Sequence, residues 1–360
     1  MSPEPIEFGE AMGGMMEPHL IRAALGFGIG FALGFAARRG RFCTLGALED
    51  AVYGQDTRRL RAWALAIAVA MVGVHGLQLN GLELHRTLYA SSQLELGPLV
   101  FGGLTFGFGM ALVGNCAFGN LLRLGGGDLK ALVALLVAAV SAVMAMRGLT
   151  AVVRVKAIDP FYVAIPGGRL QLLPDLLGVG PPASMILAVA CAALLTGYAL
   201  ADEAFRKDRK LAAAAVVIGL CVTAGWWATG FAGFDAFGTE RPLSLSFARP
   251  VGDTVLFAML ASGMQVDFGI TSVLGVLMGA FIEARQAQRF RWEAPDDVGE
   301  LRRHIVGAFL MGTGGITALG CTIGQGVTGI ATLSIGSAIA LASIALGGRV
   351  GLYYLVERQV

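Results

Sequence analysis

The sequence predicts an all-α polytopic membrane protein, with two pseudo-repeated halves whose broken, re-entrant helices meet at a central pore. Three observations carry this reading. Charge is scarce: of 360 residues, 14% are charged and 56% hydrophobic, whereas a soluble domain carries about 25% charged residues. The runs 99–122, 183–201, 211–234 and 305–348 hold no Asp, Glu, Lys, Arg or His, and roughly 18 such residues suffice to cross a bilayer. Finally, one short motif recurs inside these runs. Gly114-Asn115-Cys116-Ala117-Phe118-Gly119-Asn120 and Leu319-Gly320-Cys321-Thr322-Ile323-Gly324-Gln325 lie 205 positions apart (321 − 116). The same offset carries Gly102 onto Gly307, Gly109 onto Gly314 and Asn120 onto Gln325. Cys43-Thr44-Leu45-Gly46 is a third copy of the Cys-x-apolar-Gly core.

In chain order, residues 1–18 form an acidic tail with Glu4, Glu7, Glu10 and Glu17, unlike the basic start of a secretory signal. A first repeat covers 19–153. Its opening span, 20–37, carries Gly26, Gly30 and Gly34 four residues apart, a small-residue face for close helix packing. Arg38, Arg39, Arg41, Arg58, Arg59 and Arg61 then mark a cytoplasmic loop. A span at 62–82 runs outward. Six glycines between 102 and 119 argue against one smooth helix in 99–122, so the chain is expected to break at Cys116. Asp128 reads as the N-cap of a helix over 129–150.

The proline-rich segment 154–182 reads as an external connecting loop between the halves. The second half covers 183–357 and includes the repeat 254–350. Spans at 183–201 and 211–230 flank a basic loop with Arg206, Lys207, Arg209 and Lys210. Trp226 and Trp227 read as an interfacial belt, and 231–253 as an external loop. Asp267 reads as the cap of a helix over 268–282. Gly275 and Gly279 repeat Gly26 and Gly30 at an offset of 249, and Arg289-Phe290 repeats Arg41-Phe42 at 248, with Arg291 where a fourth cysteine would fall. The arginine-rich loop 283–303 reads as cytoplasmic. The run 305–348 is too long for one crossing, so it should break near Cys321 and end in a helix over 328–346. Both halves would then run in the same direction, related by an axis along the membrane normal.

Breaking a helix in lipid strands backbone N–H and C=O groups at a cost of several kcal/mol each. That is tolerable where the freed groups face water or a substrate, and helix amino termini at a break attract anions. Asn115, Asn120 and Gln325 could add neutral donors, and Gly119 and Gly324 sit where the backbone turns sharply or approaches substrate. No lysine or arginine lies in either broken run, which favours passage over tight capture. A thiol is a weak donor suited to a soft, diffuse acceptor such as sulfur. Cys191 and Cys221, without the glycine pattern, read as buried hydrophobes. The spacing of the five cysteines suits neither a disulfide framework nor a metal site. A net charge of +2 implies no nucleic acid, and the absence of a phosphate-binding Gly-x-x-x-x-Gly-Lys-Ser/Thr loop argues against ATP-driven transport by this chain alone.

Arg-Gly-Arg-Phe-Cys at 39–43, Gly-Asn-Cys-Ala-Phe-Gly-Asn at 114–120 and Gly-Cys-Thr-Ile-Gly-Gln-Gly at 320–326 resemble the YeeE/YedE family of bacterial sulfur-transport membrane proteins. The resemblance runs over about 20–350. It implies thiosulfate uptake across the inner membrane by an hourglass-like single domain, with no cofactor. It implies that three pore thiols, here Cys43, Cys116 and Cys321, relay the anion through S–H···S contacts without being oxidised. A small soluble sulfur carrier of the TusA type is the implied partner. Two alternatives stay open: a membrane-embedded sulfur-transfer enzyme working through a cysteine persulfide, and a transporter of a selenium-related anion.

Overall fold

The computed structural model describes residues 18–233, 241–294 and 297–356, so nearly all of the acidic tail lies outside the described residues. The first half comprises α1 (Pro18–Arg39), α2 (Thr44–Val52), α3 (Arg58–Leu79), α4 (Leu96–Val113), α5 (Ala117–Gly125), α6 (Leu129–Arg147) and α7 (Leu149–Ala157). A short α8 (Leu173–Leu177) lies in the connector. The second half comprises α9 (Pro181–Leu200), α10 (Glu203–Lys207), α11 (Arg209–Trp227), α12 (Ala248–Leu260), α13 (Phe268–Gln286), α14 (Val298–Thr317), the π-helical α15 (Thr322–Gly329) and α16 (Ile335–Val356). Nine helical stretches among the described residues are long and apolar enough to cross a membrane. The protein is an all-α, multi-pass membrane protein.

The glycines fix how these helices meet. Gly26 lies against Phe268 and Thr271, Gly30 against Ser272, and Gly34 against Val276. α1 and α13 therefore pack in parallel along the expected small-residue face. At Gly30 and Gly34 the neighbouring atoms are backbone, too close to admit a Cβ. α3 and α11 are also parallel, with Gly219 on Ala66 and Val69, and Gly73 on Thr223. So are α4 and α16, with Gly103 on Ser343 and Gly107 on Ile344 and Gly348. The exception is α4 with α14: Gly102 meets Gly314 and Thr317, whereas Gly109 meets Gly307. These two helices are antiparallel.

That last contact corrects the expected direction of the repeat. The 205-residue offset superposes α4 on α14, yet the two run oppositely, so the Cys116 and Cys321 stretches approach the centre from opposite ends of the bundle. The reason lies in the loops. α4 leaves from the 80–95 loop, whereas α14 leaves from the arginine-rich 287–300 loop. At that basic end Arg38 pairs with Glu283 at 3.3 Å and donates to the carbonyl of Leu122. There too Lys130 pairs with Glu300 at 2.8 Å and Arg61 with Asp202 at 3.7 Å.

Other differences are local. Residues 241–247 carry no regular secondary structure, as a loop should, but the helix α12 begins at Ala248, inside the expected loop 231–253. Trp226 is fully buried and set edge-on to Tyr89, with ring centroids 6.1 Å apart; it is no interfacial residue, although Trp227 is 45% exposed. The connector is tied down. Its strand Val163–Ala164 pairs with Gln93–Leu94, Gln171 N–H donates to the Ser91 carbonyl, and Leu173 N–H to that of Leu333. Asp128 and Asp267 cap their helices as expected, accepting from Lys130 N–H at 2.9 Å and Ile270 N–H at 2.7 Å.

Two expectations follow. In a variant with its cysteines replaced by serine, single cysteines at Arg59, Lys207 and Arg291 should resist a membrane-impermeant thiol reagent in intact cells, while one at Arg169 should react. Labelling of the first three from outside would reverse the orientation. Separately, Gly30→Ala should lower the yield and thermal stability of the folded protein, because its Cβ meets the Ser272 backbone. Gly28→Ala, which meets nothing within 4 Å, should match wild type in both assays.

Candidate functional site

Each Cys-x-apolar-Gly motif folds into the same local device. The cysteine stands in extended backbone immediately before a helix, and its sulfur accepts the N–H of the motif glycine three residues on. The Sγ–N distances are 3.4 Å for Cys43–Gly46, 3.3 Å for Cys116–Gly119 and 3.5 Å for Cys321–Gly324. These are helix N-caps in which sulfur replaces the usual side-chain oxygen. The breaks before the second and third caps are made by left-handed backbone. Gly114 has φ +79°, which glycine adopts freely. Leu319 holds φ +58° without that freedom.

Two of the capped ends are joined directly. The Cys43 thiol donates to Asn115 Oδ1 at 3.1 Å, and the Thr44 hydroxyl reaches Cys116 Sγ at 3.8 Å. The third end meets a partner that the sequence did not single out. Phe247 N–H, at the start of α12, donates to Cys321 Sγ at 3.3 Å. The Phe247 ring then lies 5.0 Å from that of Phe118, the second residue of α5. Cys116 is an electrostatic neighbour of both Cys43 and Cys321. All three predicted thiols therefore share one neighbourhood, with the amino termini of α2, α5, α12 and α15 around it. Cys116 and Cys321 are buried to 1% and 0% exposure, and Cys43 is half-buried.

The remaining predicted residues fall around these caps. Gly119 lies against the Asn115 side chain and Gly324 against Ser246, so neither position leaves room for a larger residue. Asn120 is buried, and its Nδ2 has no hydrogen-bond partner. Gln325 donates from Nε2 to the Ala318 carbonyl at 2.7 Å, while its Oε1 is buried and unpartnered. The Tyr89 hydroxyl donates to the Gly324 carbonyl at 2.8 Å. Gln325, Leu319 and Tyr89 also line a cavity of about 340 Å³ with Gln171, Ser337 and Arg241. At the basic end, the Arg59 guanidinium lies beside Gly46 and pairs with Asp50 at 3.3 Å.

Phe247 was legible after all: the 205 offset that relates Cys116 to Cys321 carries Phe42 onto Phe247. The offset of 248 followed from Phe42 to Phe290 led instead to Arg291, whose backbone packs on Gly127 at the basic end, away from the thiols. Arg59 read only as a topology anchor, and nothing in its local pattern distinguishes it from Arg58 or Arg61. Among the described residues, no cluster of His, Cys, Asp and Glu is arranged to hold a metal.

With the geometry in place, comparison with known proteins becomes informative. The profile of a family described as sulphur transport matches residues 39–350. The chain belongs to this family. It is similar to the thiosulfate transporter TsuA of Escherichia coli K12, at 29% identity over 88% of this chain and 90% of that protein. It is similar to the thiosulfate transporter TsuA of Spirochaeta thermophila at 26% identity, over 92% and 98%. A shorter stretch, 30% of this chain and 25% of its counterpart, is 34% identical to the probable transporter YedE of E. coli K12.

The crowding at the motif glycines gives a test. Gly119→Val and Gly324→Val should each reduce thiosulfate uptake by tenfold or more at equal membrane expression, a barrier change of about 1.4 kcal/mol. Near-normal uptake in both would detach the capped breaks from function.

Proposed function

We propose that this protein takes up thiosulfate, or a closely related sulfur anion, across the bacterial inner membrane through a central pore at the four helix amino termini. Support comes from one observation above the rest: three thiols, each capping a broken helix, are drawn into one buried neighbourhood with a fourth helix start at Phe247. Helix amino termini favour anions through their free N–H groups and the local dipole. A thiol at each cap adds a soft donor, matched to the terminal sulfur of thiosulfate, whose charge is diffuse.

The substrate would leave water at the cavity lined by Arg241 and Gln325. It would pass from Cys321 to Cys116 and then Cys43, handed on by S–H contacts with no thiol oxidised, and emerge beside Arg59. Asn115, Asn120 and Gln325 serve as neutral polar partners along the way, and the Phe118–Phe247 pair supplies an apolar constriction between the capped ends. The antiparallel packing of α4 on α14 supports an inverted repeat, with a pseudo-two-fold axis in the membrane plane, as in many secondary transporters. A TusA-like carrier would collect the product at the arginine-rich face.

Alanine substitutions test the relay. Losing a donor where the anion has left water costs about 1–3 kcal/mol, and 3 kcal/mol slows passage more than a hundredfold. Cys116→Ala and Cys321→Ala should therefore nearly abolish uptake of labelled thiosulfate into cells, with Cys43→Ala equal or weaker. Serine at 116 and 321 should rescue poorly, being harder and more strongly hydrated. Cys191→Ala and Cys221→Ala should transport normally. Full activity in both Cys116→Ala and Cys321→Ala would remove the thiol relay.

A further inference from the structure

A second cavity, of about 380 Å³, borders the connector at Leu172, Pro174 and Asp175, next to the Leu170 and Gln171 that border the first. Its lining includes His75, Gln78, Glu83, His85, Asp175 and Ser184. His75 is the unusual member. It is 1% exposed, inside α3, and its Nδ1 lies 3.0 Å from the Met71 carbonyl. A carbonyl only accepts, so Nδ1 carries the hydrogen and Nε2 keeps its lone pair. That Nε2 is buried with no hydrogen-bond partner. A buried polar atom left in this state asks for an explanation, and here it is a basic lone pair set beside a cavity.

The cavity is connected to the thiol site. Thr332 lines it, and the Thr332 hydroxyl donates to the Gly329 carbonyl at the end of α15 at 2.7 Å. Cys321 caps the opposite end of that same segment. His75 thus borders the same cavity as the carboxyl end of α15, and a cation in that cavity and an anion at Cys321 would each stand at the helix end that favours its sign. Other charges nearby do not duplicate the role. Glu83, His85 and Asp175 sit at the cavity mouth. Of the elements packed on α3, α9 brings Cys191 and Tyr198, and α15 brings no titratable group. α11 brings Cys221, with Arg209 and Lys210 at its far end. α2, with Glu49 and Asp50, and α10, with Glu203, Arg206 and Lys207, meet α3 at its opposite end beside Arg58, Arg59 and Arg61.

We propose that His75 is the site of a coupling proton, taken from the outer face onto Nε2 as the anion binds at the Cys321 cap. The inference rests on the anion-transport reading. A dianion in a water-poor site raises the proton affinity of a nearby imidazole, and linkage makes the effect mutual, so a proton on His75 tightens anion binding by the same factor. Glu83, His85 and Asp175 feed the cavity from water.

The test is titration calorimetry of thiosulfate into the full-length protein in detergent. Buffers of different ionisation enthalpy are compared at about pH 6 and about pH 8, either side of the usual imidazole titration. Wild type should take up a fraction of a proton per anion and bind several-fold more tightly at the lower pH. His75→Gln should bind at both pH values with the affinity wild type shows at the higher one, and take up no proton; His19→Gln, at the start of α1 and outside the cavity, should behave as wild type. Anion binding with pH-independent affinity and no proton uptake in wild type would overturn the inference while leaving the anion site intact, and this readout needs no variant. Undiminished proton uptake in His75→Gln, or affinity that follows sodium instead of pH, would overturn it too. Absence of any binding would remove the anion reading and the inference together.

Discussion

The contact between a thiol and the N–H three residues later is the interaction on which the rest of the structure depends. It is what allows a helix to start in the middle of a membrane. A helix start leaves four N–H groups without intrahelical partners, and in hydrocarbon each costs several kcal/mol. A cysteine cap satisfies one of them at 3.3–3.5 Å, a long, soft contact compared with an oxygen cap. The weakness has a use. Sulfur settles the orphan donors less fully than a serine oxygen would, so the end keeps part of its appetite for an anion, while the thiol hydrogen stays available to point elsewhere. Only for Cys43 is that hydrogen seen engaged, on Asn115 Oδ1.

Everything around the caps holds the breaks open. Gly114 turns the chain before Cys116, and Leu319 is forced through the same left-handed region before Cys321. A non-glycine residue there costs of order 1–2 kcal/mol, which the packing of α14 against α4 must offset. That packing in turn is possible only because Gly102, Gly109, Gly307 and Gly314 bring two backbones together. The abundant glycine is thus not spread evenly over one task. One set permits helix contact, and a smaller set, Gly119 and Gly324, gives the side chains of Asn115 and Ser246 room against the capped turns.

Much of this was legible in the sequence, and what was missed shares one cause. The spans, the breaks at Cys116 and Cys321, the caps at Asp128 and Asp267 and the packing face of α1 all follow from local pattern, where a residue's neighbours in the chain are also its neighbours in space. The direction of the second half does not. It depends on which offset relates the halves: at 249, α1 falls on α13, and those two do run in the same direction, whereas at 205, α4 falls on α14, which runs the opposite way. Trp226 failed similarly: beside Trp227 it reads as a belt, but only its tertiary contact with Tyr89 decides that it faces inward.

The distribution of charge along the proposed path completes the physical picture. Full cations stand at the two mouths, Arg241 in the outer cavity and Arg59 beside the Cys43 helix, and neither of the broken runs between them carries one. A lysine or arginine at the centre would bind a dianion strongly in low dielectric and hold it there. Thiols, amides and helix ends would spread the same attraction over several weak sites, so that the anion would never be stabilised much more at one than at the next. Conduction needs this balance, favourable enough to enter and shallow enough to leave. On the proposed path the mouths would concentrate the anion and the caps would replace its hydration in small steps, the depth of each step being set by how poorly sulfur caps a helix.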